Sequence, residues 1–555
     1  MSRFLQTLLA AAAPDSPTRS QRGITTGEPA APVWHSWSEV HEQAQRAAGA
    51  LVRSGLRHGD AVAVLAVDPE LVAPAVQGVW LAGGSVTMLH QPTARTDLAA
   101  WAQDTVTVLR MIGSELVLLG APFEALAPVL DEHGIGYRML VELDSGEPLA
   151  EPVPAGEDDT ALLQLTSGST AEPKAVRISH RNLYANMTAM ARVAALDPGS
   201  DVLVSWLPLF HDMGMVGFLT APMTLGIELV KVTPVDFLTA PLLWAELISR
   251  YGGTVTAAPN FAYALLGRRL AGAAEGTDLR LDTLRFALNG AEPIEPAAVR
   301  SFTEAGRRFG LNPRCVVCAY GMAEATLAVS FAPVGGGMQV DTVDADALEE
   351  QRRAVPMGRS GQSRSFPLLG PPLPGIEVRV VDQRGCPLRD RDVGRIQLRG
   401  ESVTSGYLTV EGPRSTPDAD GWLDSGDDGY LVDGEVVVCG RRKDVIIMGG
   451  RNVYPTDIER AASLVDGVRA GNVVAVRIDA GARRESFVVA VESGRAGDVE
   501  AEREIRRDVA SRVVDAVGLR PGAVVVLPPS VLPKTPSGKL RRAAAAERIA
   551  PLLTP

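Results

Sequence analysis

The sequence is poor in cysteine, histidine and positive charge, and it has no long apolar run. Its 555 residues include four cysteines and seven histidines and carry a formal net charge of −12. So few cysteines exclude a disulfide framework, and the acidic balance argues against general binding to nucleic acid. The longest uncharged stretch, residues 71–89, is interrupted by Pro74, Gln77 and a glycine pair. We therefore expect a core helix followed by a buried strand, and no integral membrane association.

Lysine is the scarcest charged residue. The chain has 49 arginines and only five lysines, at positions 174, 231, 443, 534 and 539. The chain therefore uses arginine at almost every position where any positively charged side chain would do. The remaining lysines therefore mark places where a compact, flexible ammonium is needed rather than a planar guanidinium. Chance survival at surface sites is the alternative interpretation.

Targeting signals are weak. The first 13 residues place one arginine before a short apolar run, as signal peptides do, but an amphipathic first helix explains them equally well. We therefore expect a cytoplasmic protein.

Length and periodicity predict at least two domains of α/β type. A chain of 555 residues is too long for one core. Residues 36–55 predict a helix that Ser36 or Ser38 caps and Gly55 ends, and residues 60–67 predict a buried strand. The same alternation recurs through much of the first 440 residues, which indicates layered, largely parallel sheets with helices.

The pattern of predicted helices and strands changes twice towards the C-terminus. Strand–turn–strand patterns near residue 376 predict a small β subdomain at about 370–440. Later, two strands, a helix over 502–517 and a further strand predict a compact α+β module. The charged segment "GRRKD" before that module has the composition of a hinge. We expect an N-terminal domain at 1–440 and a small mobile C-terminal domain at 441–555.

The stretch "LLQLTSGSTAEPKAVRISH", residues 162–180, indicates a phosphate site. An apolar run ends at six small residues, 166–171, and Lys174 follows. Backbone N–H groups of such a loop converge on phosphate oxygens, and Gly168 lets the chain approach closely. The pattern is not the Walker motif, which needs Gly-Lys-Ser/Thr at the start of a helix. A solvated turn is the alternative.

The stretch resembles the phosphate loop of the adenylate-forming superfamily, which includes acyl-CoA ligases, fatty acyl-AMP ligases, luciferases and peptide-synthetase adenylation domains. Five more motifs follow in that family's order: "LNGAEP" at 288–293, "AYGMAEAT" at 319–326, "GWLDSGDDGYL" at 421–431, "GRRKDVIIMGGRNVYPTDIE" at 440–459 and "LPKTPSGKLRR" at 532–542. Together they span nearly the whole chain. One departure is Ala171, where the family usually has glycine.

The resemblance implies an ATP site. Tyr320 would stack on adenine against 291–293, and Asp427 would accept the ribose hydroxyls beside Arg441. A core aromatic and a turn residue are the respective alternatives for Tyr320 and Asp427. The implied nucleotide-binding residues are Thr166, Ser167, Gly168, Ser169, Thr170, Lys174, Asn289, Gly290, Ala291, Glu292, Pro293, Ala319, Tyr320, Gly321, Met322, Asp427, Arg441 and Lys539.

Catalysis is implied to rest on a lysine and a metal. Glu324 lies among small and apolar residues, where a carboxylate needs a partner, and the family assigns it Mg²⁺. Lys539 would bridge the acid's carboxylate and the α-phosphate; a solvated cationic terminus is the alternative. A carboxylic acid is already ionised at neutral pH and needs no general base. Lys443 is implied to serve the hinge.

The acyl site is implied to hold an apolar chain. Residues 206–226 contain His211 beside Asp212, but Met and Phe side chains surround them, which suits an alkyl chain better than an ammonium group. The predicted acyl-binding residues are His211, Asp212, Met213, Phe218 and Phe261. His211 is also predicted as a catalytic residue that lines the approach of the acid's carboxylate; a core or surface histidine is the alternative.

The closest resemblance is to the fatty acyl-AMP ligases, through "SWLPLFHDMGM", "TAAPNFAY" and "GRNVYPTDIE". It implies that ATP and a fatty acid give acyl-adenylate and pyrophosphate. The acyl group would then pass to an acyl carrier protein or polyketide synthase, which the basic residues 540–542 and Arg451 would meet. A fatty acyl-CoA synthetase and a non-catalytic sensor of nucleotide or acyl chains are the alternatives.

Residues 332–363 are a candidate insertion. Glu324 and Pro374 lie 50 positions apart, more than in CoA-forming relatives. In the fatty acyl-AMP ligases an insertion near here packs between the domains and limits the rotation that opens the CoA route. We expect a short acidic helix in its middle and a docking face formed by Val340, Val343 and Leu348. A plain surface loop, which costs little free energy, is the alternative.

Overall fold

The computed structural model describes residues 1–13, 16, 20–93, 96–166, 172–358, 362–448, 451–478, 486–534 and 540–553. The chain forms two compact units. Unit 1 comprises Met1–Met338, Leu369–Glu377 and Leu398–Leu423, and unit 2 comprises Gln339–Leu368, Val378–Gln397 and Asp424–Pro555.

Helices and strands alternate along the chain. The first elements are α1 (Arg3–Ala12), β1 (Gly23–Thr26), β2 (Val33–Ser36), α2 (Trp37–Arg53), β3 (Ala61–Leu65), α3 (Pro69–Leu81), β4 (Ser85–Met88), α4 (Leu98–Ile112), β5 (Ser114–Leu119), α5 (Ala127–Glu132), β6 (Gly136–Met139), β7 (Thr160–Thr166), β8 (Lys174–Ser179) and α6 (His180–Val193). Next come β9 (Val202–Ser205), α7 (Ala221–Leu225), β10 (Glu228–Lys231), α8 (Pro234–Thr239), α9 (Leu243–Tyr251), β11 (Val255–Ala258), α10 (Asn260–Ala271), β12 (Phe286–Asn289), α11 (Pro296–Gly306), β13 (Val316–Gly321) and β14 (Ala328–Phe331). The last are β15 (Val340–Asp344), α12 (Ala345–Glu350), β16 (Ser363–Pro367), β17 (Ile376–Val381), β18 (Gly394–Gly400), β19 (Gly406–Thr409), β20 (Gly412–Ser415), β21 (Leu423–Val432), β22 (Glu435–Arg441), β23 (Ile446–Met448), β24 (Arg451–Val453), α13 (Pro455–Ser463), β25 (Val468–Ile478), β26 (Ser486–Ser493), α14 (Val499–Val517), β27 (Ala523–Leu527) and α15 (Arg542–Ile549).

Unit 1 is built on two eight-stranded sheets. Their orders are β14-β13-β12-β11-β9-β10-β1-β2 and β20-β19-β8-β7-β4-β3-β5-β6. The neighbours from β13 to β1 and from β7 to β6 are parallel, whereas the remaining pairs at the edges are antiparallel. Strands such as β4 and β11 are buried along their whole length, as parallel strands covered on both faces are. The predicted α/β class with layered parallel sheets is confirmed.

Helix α2 shows why the local predictions succeed. Ser36 caps its first turn by accepting from the amide of Glu39, whose side chain accepts from Ser36 in return. This capping box satisfies two backbone donors that the helix start leaves free. Its apolar side chains at three- and four-residue spacing are buried, as predicted: Val40, Ala44, Ala47, Ala48 and Leu51.

The uncharged stretch at 71–89 also folds as predicted. It forms most of α3 and all of the buried strand β4, with Pro74 inside the helix. Across the part of the chain that the structure describes, no helix combines the length and hydropathy that crossing a membrane requires.

In its described residues unit 2 is mainly β, with helix α12 in its first segment and α13, α14 and α15 in its last. The predicted α+β module contains β25, β26 and β27 in one sheet, and α14 buries Ile505, Val509, Val513 and Val517 as expected. Helix α14 begins three residues before the predicted start, at Val499, because the Asp498 side chain caps it there. The division into compact units does not locate a hinge. The predicted domain boundary at residue 440 therefore stays a prediction.

The candidate insertion contains β15 and α12 and ends at Ser363, where β16 begins, and the acidic helix predicted for its middle is present as α12. Val343 and Leu348 are buried in a cluster of unit 2 that includes Tyr430 and Tyr454. The prediction for Val340 is wrong, because its side chain is 40% exposed.

Candidate functional site

The predicted phosphate loop connects β7 to β8. Thr166 ends β7 and Lys174 begins β8, and the two are register partners in an antiparallel pair. The Thr166 hydroxyl oxygen is buried and has no hydrogen-bond partner among the described residues. Ser167, Gly168, Ser169 and Thr170 lie outside the described residues. Both ends of the loop are therefore held by the sheet, and an unsatisfied hydroxyl lies at its entrance.

Glu324 lies in a short turn after β13 and is 9% exposed. Its Oε1 accepts a hydrogen bond of 2.7 Å from the Tyr407 hydroxyl and lies 3.3 Å from the Lys174 ammonium. The same ammonium lies 4.0 Å from the centroid of the Tyr407 ring, a cation–π distance. The structure thus brings together two predicted site residues and a tyrosine that sequence reasoning missed.

The predicted adenine-binding residues gather at the carboxyl ends of neighbouring parallel strands. Residues 290–293 follow β12, and residues 319–322 end and follow β13. A side chain at Gly290 would meet the Ala319 carbonyl oxygen at 3.3 Å, so the two segments lie close together. Such strand ends are where open α/β sheets bind ligands. Ala291 adopts a left-handed φ of 67°, an unfavourable conformation that marks functional turns.

Glu292 and Asn289 connect this edge to α10. The Glu292 carboxylate accepts from the amide of Phe261 at 2.6 Å, and Asn289 donates to Asn260 at 3.2 Å. The contacts of Glu292 and Asn289 therefore stabilise the turn at 290–293, which is predicted to pack against one face of the adenine. Tyr320 and Gly321 are half-buried, and Met322 is buried.

Asp427 and Arg441 meet in unit 2. They are register partners across β21 and β22, and Arg441 Nε lies 2.9 Å from Asp427 Oδ1. The Asp427 side chain is 5% exposed and that of Arg441 is 50% exposed. The predicted pair of ribose contacts is thus adjacent.

The predicted acyl segment is buried. His211 Nδ1 lies 2.6 Å from Asp212 Oδ1, which also accepts from the amide of Met213 at 2.7 Å. Residues Met213–Thr220 form a π-helical segment in which Met213 and Phe218 are buried. A side chain at Gly214 would meet the Pro208 carbonyl oxygen at 2.1 Å, so only glycine fits there. The histidine and its carboxylate neighbour stand at the start of an apolar segment.

Aromatic side chains flank the same region. The Phe261 ring lies 6.2 Å from that of Trp206, and His90 lies 5.6 Å from the ring of Phe210. Burial, together with the neighbouring His211, lowers the pKa of His90 to about 4, so its ring is neutral at pH 7. His90 was not predicted, because nothing in its local sequence distinguishes it from a loop histidine.

Lys539 lies outside the described residues, but its flanks do not. Lys534 and Leu540 pair as an antiparallel bridge on either side of the loop. Arg542 is ion-paired with Glu459 at 2.7 Å and with Asp444 at 3.0 Å. Lys443 lies in the short turn Arg442–Asp444, so Arg542 connects the segment after the loop to the predicted hinge.

Two of the arginines predicted to meet an acidic carrier domain make ion pairs within unit 2. Arg451 pairs with the buried carboxylate of Glu349, and Arg542 pairs internally as described. Both arginines therefore have partners inside unit 2. Their role in meeting an acidic carrier domain stays a prediction.

Lys231 is a buried lysine whose burial the sequence did not predict. It ends β10, its side chain is 1% exposed, and Nζ donates to the carbonyl oxygens of Leu207 and Val232. Burial lowers its pKa from the usual 10.5 to about 7. The unfolded chain therefore binds more protons between these pH values, and wild-type stability should rise with pH across this window.

We expect Lys231→Met to raise the melting temperature at pH 6 and this gain to shrink as pH rises from 7 to 10. The substitution removes the ammonium that folding must desolvate but keeps a long apolar side chain. Thermal melting of both proteins across this pH range measures the effect, and Lys534→Met, at an exposed position, is the control. A stability difference independent of pH would contradict the assignment.

The chain matches the AMP-binding enzyme family over residues 14–408. It is 55% identical to the putative ligase Rv1013 of Mycobacterium tuberculosis, over 98% of this chain and 99% of that protein. It is 33% identical to the long-chain-fatty-acid–AMP ligase FadD26 of Mycobacterium bovis, over 92% and 91% of the two chains. A solved structure from work on fatty acyl-adenylate ligases of E. coli and L. pneumophila matches with a TM-score of 0.89 and 30% identity, covering 100% of this chain and 98% of that one. The chain therefore belongs to the AMP-binding enzyme family and is an adenylate-forming ligase.

Proposed function

We propose that the protein activates a fatty acid as its acyl-adenylate, with release of pyrophosphate, and passes the acyl group to an acyl carrier protein or polyketide synthase. The observation that carries the substrate class is the acyl segment. Met213, Phe218 and their neighbours form a buried apolar run directly after His211 and Asp212. An alkyl chain matches such side chains, whereas the ammonium of an amino acid would have to compete for Asp212, which already contacts His211 and the amide of Met213. The names of two of the similar proteins, a long-chain-fatty-acid–AMP ligase and a fatty acyl-adenylate ligase, agree with this class. We also propose a cytoplasmic location.

The adenylation step needs positioning and charge neutralisation rather than a base. The acid is ionised at neutral pH and must meet the α-phosphate, which is also an anion. Lys174 would neutralise phosphate oxygens, and Lys539 would hold the two reacting anions together. His211 would line the approach of the carboxylate, and Asp427 with Arg441 would hold the ribose.

Glu324 fits a magnesium ion. Its carboxylate is buried and forms an ion pair with the Lys174 ammonium, so this position accommodates positive charge. Oxygen is also the ligand atom that Mg²⁺ prefers. Among the described residues, no three His, Cys, Asp or Glu side chains gather as a metal cluster. A metal at Glu324 would therefore take most of its ligands from phosphates and water, as Mg²⁺ usually does. Bound there, it would neutralise charge on the phosphates.

We expect Glu324→Gln to raise the Mg²⁺ concentration needed for half-maximal acyl-adenylate formation about tenfold, since the amide keeps the shape but removes the charge. Titration of Mg²⁺ at saturating ATP measures this. Glu350→Gln, at an exposed position, is the control. An unchanged titration would show that the metal is held elsewhere.

The contacts of the insertion support a carrier protein rather than CoA as the acyl acceptor. Its helix α12 places Glu349, at 1% side-chain exposure, against Arg364 and Arg451, and Asn452 donates to the Glu349 carbonyl oxygen at 3.3 Å. A surface loop would make no such buried contacts. The insertion thus packs against β24, a strand near the start of the predicted C-terminal domain. This contact supports a restraint on the rotation of that domain, and hence a carrier rather than CoA as acceptor.

One experiment tests the proposed function. The protein is incubated with ATP, Mg²⁺ and fatty acids of several lengths, alone, with CoA, or with an acyl carrier protein, and products are identified by mass spectrometry. We expect acyl-adenylate without an acceptor and little acyl-CoA with CoA. Rapid acyl-CoA formation would assign a synthetase instead. Adenylates formed only from amino acids would overturn the substrate class.

A further inference from the structure

The turn that carries Glu324 is held by one neighbouring segment, residues 402–407. The amide of Thr404 donates to the Glu324 carbonyl oxygen at 2.8 Å, and the Thr326 hydroxyl donates to the Ser402 carbonyl oxygen at 2.8 Å. The third contact is the Tyr407 hydroxyl on Glu324 Oε1 at 2.7 Å. Two backbone-directed bonds thus place the turn, and the third orients its carboxylate.

Tyr407 also contacts the opposite charge. It lies on β19, which pairs with β8, and β8 begins at Lys174. The Lys174 ammonium rests 4.0 Å from the ring centroid of Tyr407 and 3.3 Å from Glu324 Oε1. The hydroxyl therefore contacts the anion, and the ring contacts the cation.

We propose that Tyr407 is a positioning residue that holds Glu324 ready for a divalent cation, an inference that rests on the proposed function of this site. In the structure the Lys174 ammonium balances the buried carboxylate, because such a charge is costly without a partner. Phosphates bound here would attract the ammonium, and Glu324 would then hold a divalent cation, which would neutralise charge on the phosphates. The Tyr407 hydroxyl would stay on the carboxylate in both cases, so the carboxylate would keep its orientation while its counter-charge changes.

The hydroxyl and the ring of Tyr407 have separate roles in this proposal and can be tested separately. Tyr407→Phe keeps the ring under Lys174 but removes the hydroxyl. A hydrogen bond to a charged acceptor is stronger than one to a neutral acceptor. Loss of the hydrogen bond from Tyr407 to Glu324 should therefore weaken the part of ATP binding that depends on the metal. Binding without metal should change little, because the ring still holds the lysine.

Calorimetric titration of ATP tests this, once with Mg²⁺ and once with EDTA, in the full-length protein. The ratio of the two dissociation constants measures how much the metal tightens binding. We expect Tyr407→Phe to reduce this ratio about tenfold, with ATP affinity in EDTA within about twofold of wild type. Tyr251→Phe is the matched control: its hydroxyl also donates to a buried carboxylate at 2.7 Å, that of Glu28, and the ratio should not change.

The outcomes separate this inference from the proposed site. If Glu324→Gln loses the Mg²⁺ effect while Tyr407→Phe keeps it, the tyrosine has no positioning role and the site stands. If Tyr407→Phe weakens ATP equally with and without Mg²⁺ and melts at lower temperature, its role is structural only and the inference fails. If the wild type shows no Mg²⁺ effect, or Glu324→Gln keeps it, the metal site itself is wrong and the inference falls with it.

Discussion

Lys539→Ala should slow acyl-adenylate formation about a hundredfold and leave ATP affinity nearly unchanged. The loss of one preorganised charge contact costs about 3 kcal/mol or more in the transition state. Lys539 is one of only five lysines beside 49 arginines, at the position that the family's motif assigns to the bridging ammonium. A contact made mainly in the transition state lowers kcat without weakening the binding of ATP. Single-turnover formation of acyl-adenylate and calorimetric ATP binding measure the two quantities.

The same loop offers a matched control. Lys534 flanks the loop, is exposed, and donates to the Gly471 carbonyl oxygen at 3.2 Å. Lys534→Ala should keep most of the activity, because the contact of Lys534 with Gly471 lies at the surface. Lys539→Arg keeps the charge but changes its shape and reach, and it should recover only a part of the rate. A Lys539→Ala enzyme within threefold of the wild-type kcat would defeat the assignment.

Shortening the insertion should create acyl-CoA synthesis in an enzyme that we expect to make little acyl-CoA otherwise. We expect that replacing residues 334–362 with a short Gly-Ser linker leaves adenylation largely intact, because the predicted nucleotide and acyl residues lie elsewhere in the chain. Loss of the contacts of α12 with β24 would free the predicted C-terminal domain to rotate into a CoA-accepting state. Acyl-CoA is measured by mass spectrometry with saturating CoA.

The structure suggests a smaller change that makes the same test. Glu349→Ala removes the buried carboxylate that Arg364 and Arg451 share, and it keeps β15 and its pairing with β16. Unpaired buried charge is costly, so α12 should loosen. Glu350→Ala, on the same helix but exposed, should behave as wild type. A folded, normally adenylating protein that makes no acyl-CoA in either variant would show that the insertion is not the gate.

Much of the fold was predictable because its signals are local. The capping box at Ser36, the spacing of apolar residues along α2 and the run of β-branched residues in β26 each lie within one element. Local propensity and burial agree in these elements, so sequence periodicity is enough. The motif residues Lys174, Glu324, Asp427 and Arg441 were identified by resemblance, and the structure places Lys174 beside Glu324 and Asp427 beside Arg441.

Contacts between distant parts of the chain were not predictable. Tyr407 meets Glu324 across 83 residues, only because β19 pairs with β8. The same limit explains the wrong expectation for Val340, which is exposed, and the internal ion pairs of Arg451 and Arg542, which were not predicted. The charge or hydrophobicity of a side chain is readable from the sequence, but its partner depends on which strands lie side by side. The sequence alone determined the order of elements, the family and the chemical groups of the site; only the tertiary structure decided which of those groups touch, because that depends on strand register and burial.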